Sequence, residues 1–501
     1  QYKVITSLTQ LQNINSTGLS LNYVLGNSID ASATSGWNAN YGFVPIGNGT
    51  NAYTGIFDGL NFTIDSLTVN RPGSNDIGLF GAVGSGGVLR NVGVTHVTIG
   101  GHAVVGGLTG KALAGSSISN AYATGRVDSS LGTVGGLVGS NAGSISNAHA
   151  GACVSVAYVP GSYPGIGGGL VGLNTGSIDN AYATGAVGGG FNTTSIGGLV
   201  GENRNGSINN AYATATVWGG GDVGGLVGAV NGGTVSNAYA TGGVSGSNSN
   251  VGGLIGSSTG TIDNVYATGS IGGGATLTGA LIGKQLTGGT VSNGYWDTTV
   301  TSTLAGFGSN TGTVTGGGGL TTAQLAAALP TGFSSSVWTN IGNQTTPYLL
   351  ANTSFDTVSG SVLLGTDTSA TPAQYRVINS LTQLQNINST GLGLNYVLGN
   401  NIDASATATW NGGAGFVPLG TATIRFTGIF DGLGHSIDNL TIHRPTDLFV
   451  GLFSTTETGS AVRNLGLTNV DIAGRGWVGA VSGITSGGAI ENVYTTGSVS
   501  G

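Results

Sequence analysis

A short unit returns along residues 101–300 at nearly constant spacing, and this period constrains the fold more than any other feature of the chain. Asn120-Ala121-Tyr122-Ala123-Thr124-Gly125 recurs at 180–185 and 237–242, with variants beginning at Asn147, Asn210, Asn264 and Asn293. The aligned positions Tyr122, His149, Tyr182, Tyr212, Tyr239, Tyr266 and Tyr295 lie 27, 33, 30, 27, 27 and 29 residues apart. A period near 28 residues is that of a solenoid, in which each unit buries its apolar side only by stacking on the next. Each copy is preceded by Gly-Gly-Leu-Val-Gly, at 135–139, 168–172, 197–201 and 224–228, with weaker forms around Leu108, Ile255 and Ile282.

Within one unit, 134–139 reads as a short apolar strand and 144–148 as a second strand of alternating character. A third strand ending at Val154, or at Val187, Val217 and Val244 in other copies, would close the coil. Short strands joined by glycine corners predict an all-β, parallel β-helix with coils of about 28 residues and strands ~4.8 Å apart along the axis. The 99 glycines among 501 residues then serve as corners and as spacers in a narrow interior. They do not fall at every third position, which excludes collagen.

A larger repeat overlies the small one. Tyr2-Lys3-Val4-Ile5 and the segment 7–18 return at 375–378 and 380–391, an offset of 373 residues. The same offset relates Phe57-Asp58-Gly59-Leu60 to Phe430-Asp431-Gly432-Leu433 and Arg71-Pro72 to Arg444-Pro445. Five stretches follow. Residues 1–100, denser and more aromatic, predict wider first coils; 101–300 are the repeat coils; 301–350 form a module-closing element. In that element 321–329 reads as the one convincing helix, with Thr321 or Thr322 as N-cap and Pro330 as its stop. Residues 351–374 are linker-like, and 375–501 begin a second, homologous module that is expected to be truncated, since a solenoid left open would lack a cap. There is no Met, which predicts a chain that starts inside a larger product or after processing.

Composition narrows the function. Charged residues make up 6% of the chain and the net charge is −7, with the basic residues scattered, so nucleic acid is not an expected partner. A hydrophobic fraction of 39% with so little charge excludes a disordered solvating chain. No run approaches the ~18 apolar residues of a membrane-spanning helix. The single cysteine, Cys153, cannot form an internal disulfide and is expected to be a small buried residue.

Stacking places equivalent residues above one another. Tyr122, Tyr182, Tyr212, Tyr239, Tyr266 and Tyr295 are predicted to form an aromatic ladder, either as packing or as a ligand platform. Asn120, Asn147, Asn180, Asn210, Asn237, Asn264 and Asn293 are predicted to form an amide ladder. The carboxylates Asp58 and Asp65 recur as Asp431 and Asp438. Such pairs could supply acid and base for polysaccharide cleavage or bind calcium; equally, Asp58-Gly59 makes a turn and Asp65 caps a corner. Because these acids recur with the fold-defining residues around them, the turn reading is preferred, and no cofactor or metal is expected.

Gly-Gly-Leu-Val-Gly followed by Gly-Ser-Ile-Xaa-Asn-Ala-Tyr-Ala-Thr-Gly resembles the GLUG repeat of large bacterial surface proteins. Leu-Thr-Gln-Leu-Gln, Asn-Tyr-Val-Leu-Gly-Asn-Xaa-Ile-Asp-Ala-Ser-Ala and Phe-Asp-Gly-Leu resemble exoproteins related to filamentous haemagglutinin. The resemblance covers 1–350 and 375–501. It implies a right-handed β-helix, two-partner secretion to the surface of a Gram-negative bacterium, and an adhesive or matrix-forming role; with the carboxylates read as turn residues, no enzymatic activity is expected. Partners would be other copies or neighbouring modules docked end to end, and host or matrix glycans. GLUG repeats also accompany zinc peptidase domains, but none of His96, His102, His149, His435 and His443 belongs to a His-Glu-Xaa-Xaa-His segment.

Overall fold

The computed structural model describes residues 2–157, 165–191, 193–247, 250–302, 304–340, 346–350, 362–363, 374–378, 380–398, 401–432 and 435–501. Ile341, Leu433 and most of 351–374 lie outside the described residues. The chain divides into two compact units, Gln1–Asn352 and Thr353–Gly501.

One coil of the first unit shows how the period becomes structure. Ser207–Ala213, Val217–Gly219, Asp222–Gly224 and Val227–Asn231 are its strands, and Thr234–Ala240 opens the next coil. Ile208, Ala211, Tyr212 and Ala213 lie opposite Val235, Ala238, Tyr239 and Ala240 in parallel register. The first two strands of this coil belong to a 20-stranded sheet, the third to a seven-stranded sheet and the fourth to a nine-stranded one. Among the described residues the chain is an all-β parallel solenoid of about 14 turns with few helices.

The coils from Ser144 to Gln285 thus have four strands rather than the expected three, whereas the two coils before them have three, their first strands running on as Val88–Gly101 and Ser117–Ser129. Gly-Gly-Leu-Val-Gly is a corner between two strands, not one strand. A Cβ on Gly224 would lie 2.0 Å from the Val227 carbonyl oxygen, and one on Gly225 would lie 2.1 Å from that of Gly253 in the next coil. Only glycine allows backbones so close, and the corner turns fully buried Leu226 into the interior. The strand expected to end at valine instead begins there at Val187, Val217 and Val244, and Val154 is second in Cys153–Val156.

The recurrent asparagines occupy left-handed backbone, with φ of 49° at Asn120, 54° at Asn180, 50° at Asn210 and 53° at Asn293. Asn tolerates this region better than other residues with a Cβ. The left-handed residue resets the strand's alternation, so that Ile208 and Ala211 both face inward. Cys153, expected to be buried, is exposed: inward-facing Val154 follows it, and strand alternation turns the thiol outward.

The predicted helix forms at Thr322–Ala327, with a capping box between Thr321 and Gln324. Other short helices were not expected. Leu8–Gln12, capped by Ser7, and Ile14–Thr17 form because Leu8, Leu11 and Ile14 recur at helical rather than strand spacing. Leu11 and Ile14 are fully buried in the same core as Ile5, Tyr23 and Leu25. Two amide side chains latch these turns to the loop before Gly47. The Gln12 side chain donates to the Val44 carbonyl at 2.9 Å and accepts from its N–H at 2.8 Å. The Asn15 side chain donates to the Pro45 carbonyl at 3.0 Å and accepts from the Gly47 N–H at 2.9 Å. In the second unit Gln385 and Asn388 do the same at Val417, Pro418 and Gly420. No helix among the described residues is long and apolar enough to cross a membrane.

Candidate functional site

Stacked rings line the outer face of the 20-stranded sheet. Tyr122 and His149 have centroids 4.9 Å apart, His149 and Tyr182 4.7 Å, Tyr182 and Tyr212 5.0 Å, Tyr212 and Tyr239 4.9 Å, and Tyr239 and Tyr266 5.0 Å. All five pairs are parallel to within 8°. Tyr295 continues the register opposite Tyr266. Glycines bound the column, with Gly93 opposite Tyr122 and Gly318 opposite Tyr295.

The two halves of the column differ in what covers them. Residues 321–340 and 346–350 fold back as a strap over Tyr212, Tyr239, Tyr266 and Tyr295, whose rings are buried with Phe333, Trp338 and Leu349. Trp338–Thr339 and Tyr348–Leu349 pair antiparallel within the strap. Fully buried Trp338 lies 5.9 Å from both Tyr239 and Tyr266. The Tyr295 hydroxyl donates to the Thr331 carbonyl at 2.8 Å, and the Tyr266 hydroxyl donates to that of Pro347. The strap helix is tied down where Thr322 Oγ1 donates to Asp297 at 2.6 Å. Tyr122, His149 and Tyr182 are only partly buried. Even so, burial pushes the Tyr122 hydroxyl up and the His149 imidazole down to about 4.

The asparagine column is a ladder in segments. Asn120 donates to Asn91 at 3.0 Å, Asn180 donates to Asn147, and Asn293 donates to Asn264 at 3.0 Å. Between these segments Asn210 donates to Asp179 at 3.3 Å and Asn237 to Asn209 at 3.0 Å, one residue off the column. A second amide column, inside the coil, escaped sequence reasoning. Fully buried Asn141 donates to Asn174 at 2.8 Å, Asn174 to Asn203 at 2.7 Å, and Asn203 to the Gly206 carbonyl at 3.0 Å. The asparagine two residues after Gly139, Gly172 and Gly201 was the available signal.

The four carboxylates lie in separate local networks. Asp58 is buried and accepts from Arg90 at 2.8 Å, from the Asn91 side chain at 3.0 Å and from the Leu60 N–H at 3.0 Å. Burial raises its pKa, but the hydrogen bonds from Asn91, Leu60 and Arg90 outweigh that and hold it below the usual range. Asp65 accepts from Thr95 at 2.5 Å, meets His96 Nδ1 at 2.7 Å and accepts from Ser66 at 2.9 Å; these bonds, Thr95 first, hold it at about 2. Asp431 repeats the first network with Arg463 at 2.7 Å and Asn464 at 3.0 Å. Asp438 repeats the second with Thr468 at 2.8 Å and Asn469 at 2.9 Å. No cluster of three metal-ligating side chains occurs among the described residues.

A parallel solenoid with ladders of Tyr and Asn defines a repeat protein, and residues 101–128, 192–217 and 247–272 match the family described as the GLUG motif. Among curated proteins, halomucin of Haloquadratum walsbyi is 44% identical over 138 residues, 26% of this chain and 2% of halomucin. A Gly-rich membrane protein of Evansella cellulosilytica is 40% identical over 72 residues, 14% of this chain and 8% of that protein. The chain therefore spans a small fraction of the length of these relatives. Among solved structures, an immunoglobulin A1 protease of Bacteroides ovatus aligns with a TM-score of 0.42 and 21% identity, covering 70% of this chain and 93% of that one. A further IgA1 protease aligns with a TM-score of 0.39 and 20% identity, covering 58% and 21% of the two chains. The fold assignment rests on the strand registers given above.

Proposed function

We propose that this chain is part of an extracellular structural and adhesive repeat protein, acting as an adhesin stalk or as the subunit of a surface fibre or matrix. The observation that carries the reading is the continuous parallel pairing, coil on coil, from Val88–Gly101 through Thr313–Leu320. A solenoid with nearest-neighbour contacts gains reach with every added coil at constant width, which suits a spacer. The sequence relatives support a surface setting, one of them being named a membrane protein. Secretion by a two-partner route from a Gram-negative cell and end-to-end docking of modules belong to the same proposal.

A dedicated polysaccharide-binding or polysaccharide-cleaving β-helix protein, in place of a stalk or fibre, is the alternative. For cleavage, Asp58 and Asp431 would have to act from networks in which arginine and asparagine already hold them. Labelling intact cells with an antibody to residues 101–300, alongside electron microscopy of the purified chain, tests the proposal. Surface label and thin rods are expected. Label seen only after permeabilisation overturns the extracellular reading, and irregular particles overturn the stalk.

A further inference from the structure

The second outward column of the 20-stranded sheet is built of small residues, with one exception. Gly100, Asp128, Ser155, Gly188, Trp218, Ser245 and Gly272 follow one another in register through successive coils. Trp218 is 47% exposed, and Phe191, just after Val187–Gly189, is 71% exposed. The indole covers Gly188, where a Cβ would fall 2.3 Å from the ring. Beyond it the surface steps down. A Cβ on Gly272 or Gly274 would meet no atom within 4 Å. The result is an open groove of about 410 Å³ that crosses four coils.

We infer that this groove binds a neutral polysaccharide strand laid along the solenoid axis. The inference deepens the adhesive reading above and rests on it. Three observations select the ligand class. None of the ten lining residues is charged, which disfavours nucleotides, acidic chains and metal ions as occupants. The wall offers aromatic surface, which packs against the apolar C–H face of a pyranose, while the Ser245 and Ser247 hydroxyls can exchange hydrogen bonds with sugar hydroxyls. The groove also runs across the strands. Val217–Gly219 and Val244–Gly246 are paired on both sides, so a peptide finds no free edge on which to add as a strand. Four coils at ~4.8 Å spacing give about 14 Å of length, room for a few sugar units.

The test uses the full chain in affinity gel electrophoresis against xyloglucan, galactomannan, mixed-linkage β-glucan and dextran, with alginate as the charged control. Retardation by at least one neutral polymer and none by alginate is expected. Trp218→Ala should weaken binding about tenfold through loss of the aromatic contact. Gly274→Arg, which places a side chain in open space, should block the groove. Gly274→Arg should keep the wild-type Tm and Trp218→Ala should remain cooperatively folded with a modestly lower Tm, from the loss of its packing on Gly188, which separates lost binding from lost folding. No retardation by any neutral polymer, or equal retardation of wild type and both variants, overturns the inference. So does self-association that Trp218→Ala abolishes in the absence of polysaccharide binding, since the groove would then seat a second copy. Surface label without retardation sinks only the groove, whereas retardation with label confined to permeabilised cells sinks only the extracellular reading.

Discussion

The indole Nε1 of Trp338 donates to Oδ1 of Asn237 at 3.3 Å, joining positions 101 residues apart in sequence. Asn237 is thereby both a left-handed residue within Thr234–Ala240 and the seat of the strap, and Trp338 is the centre of the aromatic cluster that closes the ladder. Trp338→Ala removes a fully buried ring and is expected to cost about 3–5 kcal/mol. Near-UV circular dichroism and hydrogen exchange check where the loss falls: protection should drop in Tyr212, Tyr239 and Tyr266 while Tyr122 is unchanged.

His149 introduces a pH dependence. Burial lowers its folded pKa to about 4, against about 6.5 when unfolded, so between these values the unfolded chain binds a proton that the folded chain does not. Stability is unaffected above pH 6.5 and falls as pH drops from 6.5 towards 4, at up to about 1.4 kcal/mol per pH unit. His149→Tyr, which makes the column uniform, should reduce the slope of Tm measured across that window by this contribution, leaving that of His435, whose imidazole burial also pushes down. The Asp65 carboxyl, held at about 2, contributes stability that is lost only below about pH 4, so the two effects are separable.

The Asp58 network predicts a stability phenotype. Asp58→Ala removes three hydrogen bonds to a buried carboxylate, and a loss of about 2–4 kcal/mol is expected in denaturant unfolding. Adding Arg90→Ala should cost less than the sum of the two single changes, because the arginine has then already lost its partner. Additive losses would remove the coupling read from the geometry.

At Asn180, with φ of 54°, backbone conformation should matter more than the side-chain hydrogen bond. Asn180→Ala is expected to destabilise by about 1–2 kcal/mol and Asn180→Gly by less, since glycine adopts the left-handed region freely. Equal losses in chemical denaturation would assign the position to its bond with Asn147 instead.

The parallel solenoid was legible because its cause is local and reiterated: the same small, branched and amide residues return in every coil. What was not legible has definite physical origins. Gly-Gly-Leu-Val-Gly carries strand-like composition, yet the close approach that makes it a corner involves carbonyls such as that of Gly253, one coil away. The spacing of Leu8, Leu11 and Ile14 is helical but spans less than two turns, too short to stand out against the following Asn22–Leu25 strand. The repeated Asn could be read as an amide ladder, whereas its left-handed backbone is a property of the main chain. The strap was recognised as a closing element with a helix, but its contact with Asn237 depends on chain folding across several coils.

Solenoids diversify by duplicating or deleting whole coils, and the strap makes that tolerance unequal along the first unit. A coil inserted before Tyr182 would lengthen the stack and leave the reach from Trp338 to Asn237 unchanged. One inserted between Asn237 and Leu320 would move the strap's seat by one rise, ~4.8 Å, and leave the indole over the wrong rung. The number of coils downstream of Asn237 is therefore fixed by a single strap, while those upstream are free to vary, and length polymorphism in this architecture should gather on the uncovered side.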